Sequence, residues 1–444
     1  MSFIPTNAPP PQAPGPRRIA VPYRTAKGLV TREFTAWYTP HGPVVRSVDG
    51  KWVTISLMND PMHALMQSYG RTKAHSLPEF LKVMELHTNS SNNTLFADAS
   101  GNIAYLHSNY IPRRDSTLDW SQPVDGSATK SDYHGVLSLQ ETPNAINPAT
   151  GWAYNSNNWP WSAAGSASPR REDFPRYVER GSSESMRGLH ALRVLSNTSD
   201  FTMSSLTAAA FDSYQPGFAI TIPALLKAFD AAPASDSLRN RVAEQVARLR
   251  SWDYRWGAGS VETSLAVFWG TALYPRLASG MRRTGLPFEQ YVAERAAGAD
   301  LLAALSTASA KLTTDFVRWQ VPWGEINRFQ RLDDNIEARF DDTKPSIAVP
   351  FTSALWGSLA SYGSQQYPNT RKWYGTSGNS FVAVVEFGDS VRARAVTAGG
   401  ESGNPASPHF NDEAERYATG ALREVYFYPS QLKGHTERVY HPGL

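Results

Sequence analysis

The chain of 444 residues contains no cysteine, which removes disulfides, thiolate nucleophiles and Cys-ligated metals together. No run is long and apolar enough to cross a bilayer. The opening "MSFIPTNAPPPQAPGPRR" lacks the apolar core of a signal peptide, so residues 1–17 read as a Pro-rich, disordered lead-in. Charge of one sign is also missing: 43 basic residues stand against 40 acidic ones, a net +3 without a basic run. Nucleic acid and membrane are therefore not expected partners. Several catalytic signatures are absent as well, among them G-x-S-x-G, H-E-x-x-H, a Gly-rich phosphate loop and an EF-hand loop. The ten histidines are scattered, which argues against a local His metal cluster. What is present, 41% hydrophobic and 19% charged residues, suits a globular protein with a large core.

Periodicity organises the chain into a β-rich front, a helical middle and a β-rich end. "IAVPYRTAKGLVTREFTAWY" reads as two strands around an Ala-Lys-Gly turn, and "VRSVDGKWVTISL" repeats the device at Asp49-Gly50. Ser76 and Glu79 have capping-box spacing ahead of a helix whose Leu77, Phe80, Leu81 and Met84 share a face. Strands return in "NNTLFADASGNIAYLHS", with Asp98 placed to stabilise the turn. From 184 to about 310 the pattern is helical, clearest where Leu238, Val242, Val246 and Leu249 line one face. A hairpin around Gly388-Asp389 and a short helix at "NDEAERYATG" follow. This order predicts one α+β domain over 18–444, its sheet assembled from both ends of the chain.

The chemistry-bearing residues sit in loops rich in Asn, Gly, Ser and aromatics, where binding groups are usually presented. In "NPATGWAYNSNNWPW", residues 147–161, four asparagines and four aromatics crowd together with no period of 2 or 3.6. Five stretches carry a family resemblance in order and approximate spacing: "LFADASGNIAYLHSNYIPRR", "NPATGWAYNSNNWPW", "ESMRGLHALRVL", "WGEINRF" and "AGGESGNPASPHFNDE". From about residue 18 to 435 the chain resembles the C-terminal part of the β chain of the penicillin acylase (penicillin amidase) family, which includes acyl-homoserine lactone acylases.

The resemblance implies an αββα four-layer sandwich of N-terminal-nucleophile hydrolases, incomplete here and carrying a large helical insertion. It implies hydrolysis of a linear amide: the N-acyl bond of a β-lactam, an acyl-homoserine lactone or an acylated peptide. The attacking group would be an N-terminal serine whose own α-amine takes the proton. Asn157 matches the oxyanion-hole amide and Arg187 the arginine that orients the site, with Asn155 supporting the loop. The segment bearing the nucleophilic serine is not matched, and Ser127 and Ser166 do not fall at the family's cleavage position. An α chain and the start of the β chain are thus expected partners, and this chain alone is expected to be inactive. The alternative is a non-catalytic module that binds a ligand or another subunit. No cofactor is expected; the one opening for calcium is Asp173, matching a ligating carboxylate of some members. His409 is expected to be structural. The resemblance also implies a periplasmic or extracellular setting.

Overall fold

Asp49 and Gly50 both take left-handed φ, 50° and 71°, and this lets a two-residue turn join strands Gly42–Val48 and Lys51–Thr54. The computed structural model describes residues 2–5, 16–89, 92–107, 110–178, 181 and 184–441. Most of the Pro-rich stretch expected over 1–17 lies outside them, although the backbone at Ser2–Pro5 pairs with Lys51–Thr54 and Val124–Asp125. Helix and strand make up 37% and 19% of the protein, the mixed α+β content expected. The chain divides into two compact units, Met1–Ser182 and Ser183–Leu444. Sheets form within each unit, a departure from the expectation of one sheet drawn from both chain ends. Part of the reason is local: Gly-containing turns return strands such as Gly28–Ala36 and Lys51–Thr54 onto their sequence neighbours.

In the first unit, strands Arg17–Thr25 and Gly28–Ala36 pair over their whole length. Gly28, at φ 111°, closes the turn. Register sets Ile19 opposite Phe34 and Tyr23 opposite Val30, so one face of this hairpin is apolar. Within the described unit that face is solvent-facing, with Ile19, Tyr23 and Phe34 each more than 40% exposed. The helix Leu77–Met84 starts at Ser76, whose Oγ accepts the Glu79 N–H at 3.4 Å. It buries Leu77, Phe80 and Met84 against Ala104 and Leu106. Those last two belong to a three-stranded sheet in the order Asn144–Ile146, Ile103–Leu106, Thr94–Ala97. Asp98 holds the 98–102 turn by accepting the N–H groups of Ser100 and Asn102, both at 2.9 Å.

The second unit opens with the expected helices, from Met186–Leu195 to Gly298–Phe316. Its core centres on Val261–Thr284, capped by Ser260 and ended by left-handed Gly285. Residues 263–270 of this helix are all buried, so over that stretch it has no solvent-facing side. Trp269 is fully buried and donates its indole N–H to the Leu301 carbonyl at 3.1 Å. In the "WGEINRF" stretch, buried Asn327 donates through Nδ2 to the carbonyls of Val349 and Phe351, stitching strand to loop. No helix among the described residues is long and apolar enough to cross a membrane.

The helical core gives a direct check. Leu305 is fully buried within it, so Leu305→Ala should lower unfolding free energy by about 2–5 kcal/mol in urea titration. A loss below about 1 kcal/mol, the range of surface changes, would contradict the packing.

Candidate functional site

The loop after strand Asn144–Ile146 has no regular structure to hold it, so its side chains must. Asn147 accepts the Ile103 N–H through Oδ1 at 2.9 Å and anchors the loop to the sheet. Tyr154 N–H then bonds the Ala163 carbonyl at 2.8 Å and closes it. Inside, Asn158 is buried and uses both ends of its amide. Its Oδ1 accepts from Ser156 N–H at 2.8 Å, and its Nδ2 donates to the Tyr154 hydroxyl at 3.1 Å and Ser162 Oγ at 3.3 Å. This is the aromatic-walled frame that the crowding of Asn and Trp foreshadows, with Asn158 as its inner brace.

Asn155 and Asn157 differ from Asn158 in what they present. Asn157 is exposed and stands at φ 60°, a left-handed conformation that Asn tolerates better than most residues. Its N–H bonds Asn155 Oδ1 at 3.1 Å, and the same oxygen accepts Asn93 Nδ2 at 3.2 Å. With its oxygen held twice, the Asn155 amide is fixed in orientation. Its Nδ2 donates to none of the described residues.

Behind Asn93 stands His107, which leaves strand Ile103–Leu106 at the end where Thr94 starts the neighbouring strand. Asn93 donates through Nδ2, so its Oδ1 faces His107 Nδ1 at 2.6 Å, and that ring nitrogen must carry the proton. Burial pushes the His107 pKa down to about 4, so the ring is neutral at pH 7. The result is a directed relay of donors, His107 to Asn93 to Asn155.

These residues face a cavity of about 730 Å³ within the first unit. Six asparagines line it, namely Asn89, Asn92, Asn93, Asn155, Asn157 and Asn158, together with His107, Tyr110, Arg71, Arg114 and an apolar edge of Leu95, Ile111 and Val178. No carboxylate and no serine occurs among the described lining residues. Burial and the Tyr133 hydroxyl raise the Tyr110 pKa to about 12, keeping it a neutral hydroxyl. The wall is thus a set of uncharged amide groups plus two guanidinium ions. Such a lining can stabilise negative charge on an oxygen.

Sequence reasoning singled out Asn157 and Asn155, and both line this cavity. It missed the asparagines of "HTNSSNNT": Asn89, Asn92 and Asn93 of that stretch line the same space as the 155–158 loop. The signal available was a second asparagine cluster directly ahead of a strand. Arg187 belongs to the second unit, in the first turn of the helix Met186–Leu195, where Ser185 Oγ accepts the Gly188 N–H. Burial lowers its pKa from the usual guanidinium value. Asp173 gives both carboxylate oxygens to Arg170, at 3.0 and 2.7 Å. No group of three metal-capable side chains occurs among the described residues. His409 lies between Asp412 and Glu437, at 2.8 and 2.9 Å, and these carboxylates raise its pKa.

The described residues thus form an α+β protein whose first unit carries an amide-lined cavity. More particularly, the chain belongs to the penicillin amidase family, whose model matches residues 15–434. It is 30% identical to penicillin G acylase of Escherichia coli over 149 residues, covering 31% of this chain and 16% of that protein. It is 25% identical to the acyl-homoserine lactone acylase PvdQ of Pseudomonas syringae pv. tomato over an alignment of 469 residues, covering 95% of this chain and 57% of that protein. The chain thus spans little more than half the length of this relative. Among solved structures it is similar to the thermostable penicillin G acylase from Alcaligenes faecalis, with a TM-score of 0.63 at 17% identity over 97% of this chain and 82% of that one. That likeness shows that the chain shares the α+β fold of that acylase.

The relay has a measurable consequence in acid. His107 holds fewer protons folded than unfolded between about pH 4 and its ordinary value near 6.5. Stability should therefore climb as pH rises through that window, by at most on the order of 3 kcal/mol, and level off above it. Denaturant titrations across pH should show this climb reduced in His107→Gln. Identical pH dependence in both proteins would contradict a buried neutral imidazole.

Proposed function

We propose that this chain forms the oxyanion side of an amide hydrolase acting on N-acyl compounds. The observation that carries the reading is the Asn155 amide, its oxygen pinned by Asn93 and Asn157 and its Nδ2 unclaimed by the described residues on the cavity wall. In this reading the substrate amide carbonyl enters the cavity and is attacked by the N-terminal serine that the family resemblance supplies. The serine hydroxyl proton passes to the α-amine of the same residue. Charge gathers on the carbonyl oxygen, where N–H groups of Asn157 and Asn155 receive it. Collapse expels the amine, which recovers the proton, and water then releases the acyl group as a carboxylic acid. Because these donors are fixed before the reaction, no reorganisation accompanies charge development.

The acyl and amine partners are amide-linked small molecules of the kinds named in the relatives, penicillins and acyl-homoserine lactones. A second reading, a module that binds another subunit, draws on the exposed apolar face of the hairpin Arg17–Thr25 and Gly28–Ala36. The two readings agree that residues 1–444 hydrolyse no amide by themselves. In protein assembled with a serine-bearing segment, Asn155→Ala and Asn157→Ala should each lower kcat by roughly 100-fold, the effect of about 3 kcal/mol in one oxyanion donor, with KM nearly unchanged. Full activity in both variants, or amidase activity in the 444-residue chain alone, would overturn the oxyanion reading.

A further inference from the structure

The hairpin of Arg17–Thr25 and Gly28–Ala36 is a two-stranded sheet of its own, and every residue of each strand but the last is exposed. Both faces are thus open, and a lone pair of strands is only marginally stable in water. The pairing sorts its side chains. Ile19 stands opposite Phe34, Val21 opposite Arg32, Tyr23 opposite Val30, and Arg17 opposite Ala36 at the base. This face therefore carries five large apolar side chains, two arginines and no acid. The Arg32 guanidinium lies 4.9 Å from the Phe34 ring centre. Glu33, the single acid of the hairpin, is on the other face, opposite Ala20. Charge is concentrated here as well: Arg17, Arg18, Arg24, Lys27 and Arg32 set five cations against Glu33, more net positive charge than the +3 of the whole chain. Summed over the sequence, that charge gives no reason to expect a membrane; gathered on an apolar, arginine-bearing face, it does.

We propose that this hairpin docks the protein on an anionic lipid surface, its apolar face lying among the headgroups while Arg17, Arg32 and Lys27 meet lipid phosphates. The proposal is independent of the amide reading and gives the apolar face a partner other than a subunit. Tyr23 adds an apolar ring with a polar hydroxyl, the combination favoured where headgroups meet acyl chains. Arginine stems lie along apolar surface while their heads reach phosphate. Each cation close to an anionic membrane adds attraction, and no carboxylate on this face opposes it. A nucleic acid would engage the cations and leave Ile19, Val21 and Val30 in water. An acidic protein would gain little from exposed ion pairs alone.

Vesicle flotation of the 444-residue protein tests this, comparing phosphatidylcholine alone with equal parts of phosphatidylcholine and phosphatidylglycerol. Partitioning onto the anionic vesicles should be at least about tenfold stronger, as two or three cations near the surface warrant, and should weaken with added salt. Arg17→Gln combined with Arg32→Gln should remove most of that preference. Tyr23→Ser combined with Phe34→Ser should weaken binding to anionic vesicles by about tenfold or more. All four positions lie on the exposed hairpin, so circular dichroism of both variants should match the parent. Equal partitioning onto the two vesicle types, or binding to neither, would overturn the proposal. So would binding unchanged by the Tyr23 and Phe34 substitutions together with equal affinity for duplex DNA, the mark of charge attraction alone. Self-association that those two substitutions relieve, without vesicle binding, would overturn it in favour of the subunit-binding reading.

Discussion

The doubly held oxygen of Asn155 is the constraint on which the rest of the site depends. An amide side chain free to rotate offers its oxygen and its nitrogen alternately, so it can repel a developing oxyanion as readily as it stabilises one. Here Asn93 Nδ2 and the Asn157 N–H both bind the oxygen, and His107 in turn fixes Asn93 by facing its Oδ1. The orientation is thus set three residues deep, and it persists because His107 is too buried to take a second proton at neutral pH.

Local folding makes that relay possible. The three-stranded sheet brings the start of Thr94–Ala97 and the end of Ile103–Leu106 to one edge, which puts Asn93 beside His107. The antiparallel pairing of Asn144–Ile146 with Ile103–Leu106 then launches the 147–161 loop from the same sheet. Below it, the helix Leu77–Met84 packs Met84 onto Leu106 and fills the other face. Loops that carry chemistry need such a scaffold, because their own backbone supplies few bonds.

Much of this was legible in the sequence, for physical reasons that can be named. Turn residues with positive φ at Gly28 and Asp49-Gly50, and the capped apolar face at 77–84, leave local signatures that do not depend on distant partners. The Asn-aromatic crowding at 147–161 pointed to a rigid amide site, and the family motifs pointed to Asn157. The other asparagines of the cavity were not legible. Asn89, Asn92 and Asn93 have no period, and their role arises only when sheet pairing sets them against the 155–158 loop. Arg113 and Arg114 are the same letter twice, and only tertiary structure gives one a carboxylate and leaves the other on the cavity. Likewise the single sheet expected from both chain ends gave way to sheets that each stay within one unit.

The division of labour proposed for the three loop asparagines is the central claim: Asn158 braces, while Asn155 and Asn157 are proposed to receive the oxyanion. Side-chain amide proton and nitrogen NMR shifts of the three residues, followed during titration with a phosphonate analogue of an acyl amide, test it most directly. The account predicts downfield proton shifts at Asn155 and Asn157, with Asn158 unmoved because both ends of its amide are engaged. Shifts at Asn158 alone, or none at Asn155 and Asn157 while the phosphonate binds, would contradict it.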